Sequence, residues 1–387
     1  MGIKEIYEAI VRKLYRRDAD RNFFTENFIR ENNYRLGLRG KEKLERDWMS
    51  YSDSIAEYPD CFQGKGIVIC AGGLSYVTCA WVNISVLRSM GCKLPIELWY
   101  QGNELNDGMI QKFAELNVVC KNCTDYISSN IEGYSIKPIA ILYSSFKEII
   151  FLDADNNCVR DPAYLFETEE YKENGALFWP DTWKTSPSNA IWDIINSRDF
   201  NSFEQESGQL VINKEKCWRP LNLCVYFNLH GRVYYKMLLG DKDTFRFAWY
   251  ALGKAFHMIN TPVAHGGFTD PHNGFCGFSL IQHDTAGSIL FLHRNLIKWS
   301  KTRDDEILWT DIKKIGGKDG SVKFRSKNIK SGGSCLYLTD IEGDVEIIPF
   351  RDLFNDYEQN CMSFLKTFRN SASYHQYANH LNSSVHS

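Results

Sequence analysis

No stretch of about 18 apolar residues occurs in this 387-residue sequence, and no charged-then-apolar leader precedes a cleavage site. The chain as given is therefore expected to be neither membrane-spanning nor secreted, with a cytoplasmic or otherwise soluble location. No Lys/Arg-rich block is present, and a formal net charge of -3 gives no general attraction to a phosphate backbone, so nucleic acid is excluded as a partner. Of 12 Cys, only Cys120 and Cys123 form a Cys-x-x-Cys, with no second half to complete a zinc site; reduced structural thiols are expected. A Rossmann Gly-x-Gly-x-x-Gly and a P-loop are both missing, as are internal repeats and low-complexity stretches. The sequons at Asn83, Asn122 and Asn382 are what a chain rich in Asn and Ser contains by chance.

What remains is the composition of a globular protein. At 44% hydrophobic and 24% charged, the chain can bury a sizeable core in one large or two smaller domains. An aromatic fraction of 14% suits rings stacked on sugars or bases as well as a large core.

The chain is organised around Phe146 to Asn157, where an apolar run ends in two carboxylates, Asp153 and Asp155, one alanine apart. Ile149 to Leu152 is short, β-rich and apolar on both faces, as a strand buried in a parallel sheet would be. The carboxylates then sit at its carboxyl end, the edge where open α/β sheets bind ligands. Where the strand breaks into a loop, both can turn to one divalent cation, and hard oxygens suit Mg²⁺ or Mn²⁺ with sites left for substrate phosphates. An isolated Asp-x-Asp is more often a solvated turn; the buried strand before it is what favours the metal.

Other stretches are placed around this one. Gly66 to Gly73 reads as a buried strand ending in Ala71-Gly72-Gly73, followed by a helix from Tyr76 to Met90 and a strand at Ile96 to Tyr100. The glycine pair lets a ligand approach the backbone, and the helix start favours phosphate. Lys137 opens a helix leading into the central strand and stands either near the nucleotide or in solvent. Glu206 to Asn213 is expected to be a loop with a flexible Gly208 running into a strand, Ser207 within it. Asn228 to Leu239 reads as a helix. Gly240-Asp241-Lys242-Asp243 opens another; capping explains one aspartate, but not both together with Lys242. His293 ends an apolar strand, with Lys298 shortly after, suiting a third metal ligand and a diphosphate counter-charge; a packed histidine is the alternative.

At the ends, Ile3 to Arg17 reads as an amphipathic helix whose basic face could touch a membrane surface or simply dock on the domain. Three regions are expected: a helical N-terminal extension over 1–60, a catalytic α/β domain over 61–300, and an α+β extension over 301–387 packing on it, its tail from Gln376 frayed.

The ordered series Phe-Leu-Asp-Ala-Asp-Asn (151–156), Phe-Trp-Pro-Asp (178–181), Glu-Ser-Gly-Gln (206–209), Gly-Asp-Lys-Asp-Thr-Phe (240–245) and Leu-His-Arg-Asn-Leu-Ile-Lys (292–298) resembles the fungal Mnn-type α-mannosyltransferases. The resemblance implies a GT-A fold, with a mostly parallel central sheet flanked by helices, and retaining transfer of mannose from GDP-mannose with Mn²⁺, the metal and diphosphate at Asp153 and Asp155. The layout is also similar to glycogenin-like retaining transferases. That likeness implies His293 as third metal ligand, Lys298 on the diphosphate, and Asp241-Lys242-Asp243 and Glu206-Ser207-Gly208 beside the donor sugar. The acceptor is expected to be a glycan or glycoprotein. A UDP-hexose donor, a metal-dependent phosphatase and a non-catalytic sugar- or nucleotide-binding scaffold are the rival readings.

Overall fold

A computed structural model describes residues 22–25, 28–127, 131, 133–270, 274–315, 323–328, 334–339 and 345–384. The expected N-terminal helix at 3–17 lies outside them.

The main sheet is built from β1 (Asn22–Phe24), β2 (Ile29–Asn32), β3 (Lys65–Cys70), β4 (Ile96–Tyr100), β5 (Val118–Asn122) and β6 (Glu148–Asp153). After β7 (Asn156–Cys158), which belongs to a second sheet, come β8 (Ala176–Thr185), β9 (Phe203–Asn213) and the short β10 (His257–Met258). Their order is β1-β2-β8-β9-β6-β3-β4-β5, with β10 beside β8. From β6 to β5 the pairs are parallel, whereas β9 runs antiparallel to both β6 and β8. The mostly parallel α/β sheet is therefore present, with β6 parallel to its neighbour on one side only.

Alternation explains why these segments are strands buried on both faces. In β6, Ile150 and Leu152 join one core while Ile149 and Phe151 join the other. Ile67 and Ile69 of β3 face the first core and Val68 the second. The helix Gly73–Ser89 covers one face and the helices Ile136–Tyr143 and Lys242–Ala251 the other.

The second, antiparallel sheet contains β11 (Ala264–Asp270), β12 (Gly274–His283), β13 (Ile289–His293), β14 (Asp311–Ile315), β15 (Lys323–Asn328), β16 (Ser334–Thr339) and β17 (Val345–Pro349). Strand β7 pairs with β13, so the turn after β6 is clamped between the two sheets. The C-terminal helix Tyr357–Arg369 packs over Gly73–Ser89, where Trp81 and Phe368 stack with centroids 4.8 Å apart.

Several local expectations are corrected. Residues 22–24 and 29–32 are strands and not part of a helical stretch, because β2 finds an open edge on β8. Glu206, Ser207 and Gly208 lie inside β9 and not on a loop: β6 and β8 flank that strand, and register shifts in the β8 pairing absorb its irregularity. The helix placed at 228–239 begins earlier, as Trp218–Leu229 followed by the short Gly231–Tyr234. The tail is helical over Ala372–Ser384 and held by the fully buried Tyr377, whose hydroxyl donates to the Glu104 carbonyl. Not all cysteines are reduced: Cys276 and Cys335 form a disulfide joining β12 to β16, with Cα atoms 5.5 Å apart, and the others are free. The Asn83 sequon is buried, its amide donating to the Asp153 carbonyl at 3.2 Å. Among the described residues no helix is long and apolar enough to cross a membrane.

Candidate active site

Strand β6 ends at Asp153, beside the last residue of β3, Cys70, in the parallel register. A turn at Ala154 and Asp155 breaks the alternation that would otherwise point successive carboxylates along one face of a strand, and the chain re-enters as β7. In the β7–β13 pairing His293 lies opposite Asn156, which brings its imidazole beside Asp155. Nε2 of His293 is 3.2 Å from Asp155 Oδ1 and 3.7 Å from Asp153 Oδ2. One ligand atom from each of the three residues lies within 4.8 Å of the others. Two carboxylates and an imidazole form a donor set that fits Mn²⁺ or Mg²⁺.

The surroundings fix this geometry. Asn156 donates to the Gly208 carbonyl at 2.7 Å, and the Arg294 amide donates to the Asp155 carbonyl at 2.9 Å. Arg294 is itself buried, 3.0 Å from Glu358 of the helix Tyr357–Arg369, so that helix braces the residue next to His293. Gly208 is required by close approach, since a Cβ there would stand 2.5 Å from His293 Nδ1.

Two lysines balance the carboxylates. Lys137, at the start of its helix, is 2.9 Å from Asp153, 3.3 Å from Asp241 and 3.3 Å from the Ser207 hydroxyl, which itself donates to Asp241 at 3.1 Å. Lys298 donates to Asp155 and sits 4.9 Å from the Tyr76 ring centre. Burial raises the Asp155 carboxyl, but His293 and Lys298 outweigh it and hold the group below the usual carboxylate range. Burial wins at Asp153, which is raised despite Lys137 and His293. Burial opposes the His293 imidazolium, yet Asp155 and Glu206 push it up to about 10, and the same negative field would draw a divalent cation. Glu206, 3.4 Å from His293 Nδ1, is held at about 2: burial raises it, and His293 and Lys242 more than offset that.

Asp153, Asp155, His293, Lys137, Lys298, Ala71 and Gly72 line one cavity of about 570 Å³ at the carboxyl ends of β3 and β6. Asp241, Ser207 and Glu206 touch the groups that line it. Gly73, in the left-handed region at φ 68, starts the helix beside it. Lys242 and Asp243 are directed elsewhere. Lys242 lies 2.5 Å from Asp181 and 2.7 Å from Glu204, and Asp243 lies 3.0 Å from Arg246 and accepts from the Gln205 amide at 2.9 Å. The sequence reading missed Tyr76, Gln101, Glu104 and Tyr134 on the cavity wall; Gln101 and Glu104 follow the carboxyl end of β4, the edge rule already applied to β6.

A family model described as "Mannosyltransferase putative" matches residues 64–205 and 197–284, a span that contains the strand-end carboxylates and the Gly240–Phe245 segment. The chain belongs to this mannosyltransferase family. Relatives include α-1,2-mannosyltransferase MNN5 of Saccharomyces cerevisiae, 28% identical over 65% of this chain and 55% of that protein. MNN2 of Candida albicans is 24% identical over 83% of this chain and 65% of its own length. The chain spans about half the length of the curated relatives it matches. Among solved structures, galactosyltransferase LgtC overlaps 51% of this chain and 73% of its own, at 14% identity and a TM-score of 0.36. For this mannosyltransferase family member, site roles rest on its own geometry.

Proposed function

We propose that the chain is a metal-dependent glycosyltransferase that moves a hexose, mannose from GDP-mannose, to a glycan hydroxyl with retention of anomeric configuration. The observation that carries the reading is the convergence of Asp153, Asp155 and His293 with Lys137 and Lys298 on one cavity at the carboxyl edge of the sheet. Displacing a nucleoside diphosphate leaves two phosphates' worth of charge to stabilise, and such stabilisation is usually the largest catalytic contribution. Asp153, Asp155 and His293 would hold the divalent ion, which when bound supplies charge to that leaving group. Lys298, on the open side of Asp155, donates to a phosphate oxygen. Asp241, steadied by Ser207 and Lys137, and Glu206, steadied by the Gly208 amide at 2.8 Å, are the carboxylates beside the donor sugar. Retention then comes from attack on the leaving-group face or by way of one of these two groups.

The test is thermal unfolding with GDP and Mn²⁺, together with release of GDP from GDP-mannose. Stabilisation that needs both ligands, with Mn²⁺-dependent release, supports the reading. Equal melting temperatures with and without them, and no release, would refute it.

A further inference from the structure

The cavity has a second end. Strand β4 lies two strands from β6, so groups after its carboxyl end stand roughly 10 Å from the Asp153–Asp155 turn at ordinary strand spacing. That is where the nucleoside of a donor anchored by its diphosphate would extend. Residues 101–104 make a tight turn there: the Glu104 amide donates to the Gln101 carbonyl at 3.1 Å, and the Gln101 amide donates back to Glu104 Oε2 at 2.9 Å.

The carboxylate lies flat on Gly72, where a built Cβ would come within 2.0 Å of Oε2 and 2.8 Å of Oε1. The open face of the glycine thus receives a side chain of this chain. Among the described residues Glu104 meets no Lys or Arg, and its Oε1 accepts no hydrogen bond. Its side chain is exposed at the cavity rim, where partial desolvation raises its carboxyl and the Gln101 amide opposes that. Its backbone is pinned as well, since the carbonyl accepts from Tyr377 of the last helix. Tyr134 and Tyr76 expose their rings on the same wall.

An ionised carboxylate accepts and never donates. Guanine presents two adjacent donors, N1–H and the N2 amino group, on one edge. Uracil presents a single N–H between two carbonyl oxygens, which a carboxylate repels. Adenine and cytosine place a bare ring nitrogen next to their amino group. Resting on the nucleotide-sugar reading above, we infer that Glu104 reads the donor's base and selects guanine, with the carboxylate spanning N1–H and N2–H.

The experiment is calorimetric titration of the full chain and its Glu104→Gln variant with GDP, IDP and UDP in Mn²⁺. The partly exposed, near-isosteric Gln keeps an acceptor for the Gln101 amide. Wild type should bind GDP about 10- to 100-fold more tightly than UDP, and IDP, lacking the N2 amino group, in between. Glu104→Gln should lose most of the GDP advantage and leave UDP nearly unchanged. UDP binding as tightly as GDP, IDP binding as tightly as GDP, or a variant that keeps the wild-type ratio would overturn the assignment while leaving the transferase reading standing. Binding of none of the three nucleotides would overturn both.

Discussion

Lys137 and Asp241 are joined at 3.3 Å, and through that lysine the start of the helix Lys242–Ala251 shares a counter-charge with Asp153 at the end of β6. Removing the cation would leave two carboxylates with little solvent. Lys137→Met should lower stability by about 3–5 kcal/mol, the cost of breaking a buried pair from one side. Mn²⁺ should restore part of that loss. A variant that melts with the wild type, or one that Mn²⁺ leaves unchanged, would show that the lysine is not the counter-charge of the proposed metal site.

Asp155→Ala should abolish the joint effect of GDP and Mn²⁺ on the melting temperature. At 100 times its dissociation constant a ligand stabilises by about 2.7 kcal/mol, which is readily measured. His293→Ala should weaken Mn²⁺ and keep the fold; normal metal dependence with a lowered melting point would make it a packing histidine.

The neighbouring residues Asp241, Lys242 and Asp243 should separate by role. Asp241→Asn should lower kcat and kcat/KM together with GDP affinity kept, the mark of an interaction made in the transition state. Lys242→Met should instead cost about 3–5 kcal/mol of stability, because Asp181 is left without its cation and Glu204 keeps only Arg30. Asp243→Asn should also register in stability, given its contact with Arg246. A stable Lys242→Met with lost turnover would return that lysine to the catalytic group.

How far the sequence carries is visible in these residues. Asp153, Asp155, His293, Lys137 and Lys298 could be brought to one sheet edge from sequence, since Asp153 and His293 end apolar strands, Asp155 and Lys298 follow those ends within a few residues, and Lys137 lies in the first turn of the helix leading into β6. Asp241 and Lys242 are neighbours in sequence, yet helical geometry turns them to different clusters, which no linear pattern shows. Glu204, buried and 2.7 Å from Arg30, was hidden for the same reason: its partner comes from a strand far away in the chain. The strand at Glu206–Gly208 read as a loop because its polar residues are satisfied by His293, Asp241 and Asn156 from three other segments. The Cys276–Cys335 disulfide depends on a strand pairing across 59 residues, which cysteine spacing alone does not reveal.

His265 gives a pH test away from the site. Buried in β11, its imidazole is lowered to about 4, first by desolvation and then by Lys313. The unfolded chain therefore binds a proton that the folded one refuses between about pH 6.5 and pH 4. Its contribution is intact above that window and lost as pH falls through it. His265→Gln should flatten the acid limb of stability measured by urea unfolding from pH 7 to pH 4; an unchanged slope would mean the imidazole is protonated in the fold.

The most direct measurement is NMR of GDP-α-mannose incubated with the full chain and Mn²⁺, following the first mannosyl species released or transferred. Retaining chemistry at the Asp153–Asp155–His293 site predicts Mn²⁺-dependent GDP release with mannose appearing first as the α-anomer, lost in Asp155→Ala. A β-anomer appearing first, or release that survives Asp155→Ala, would contradict it.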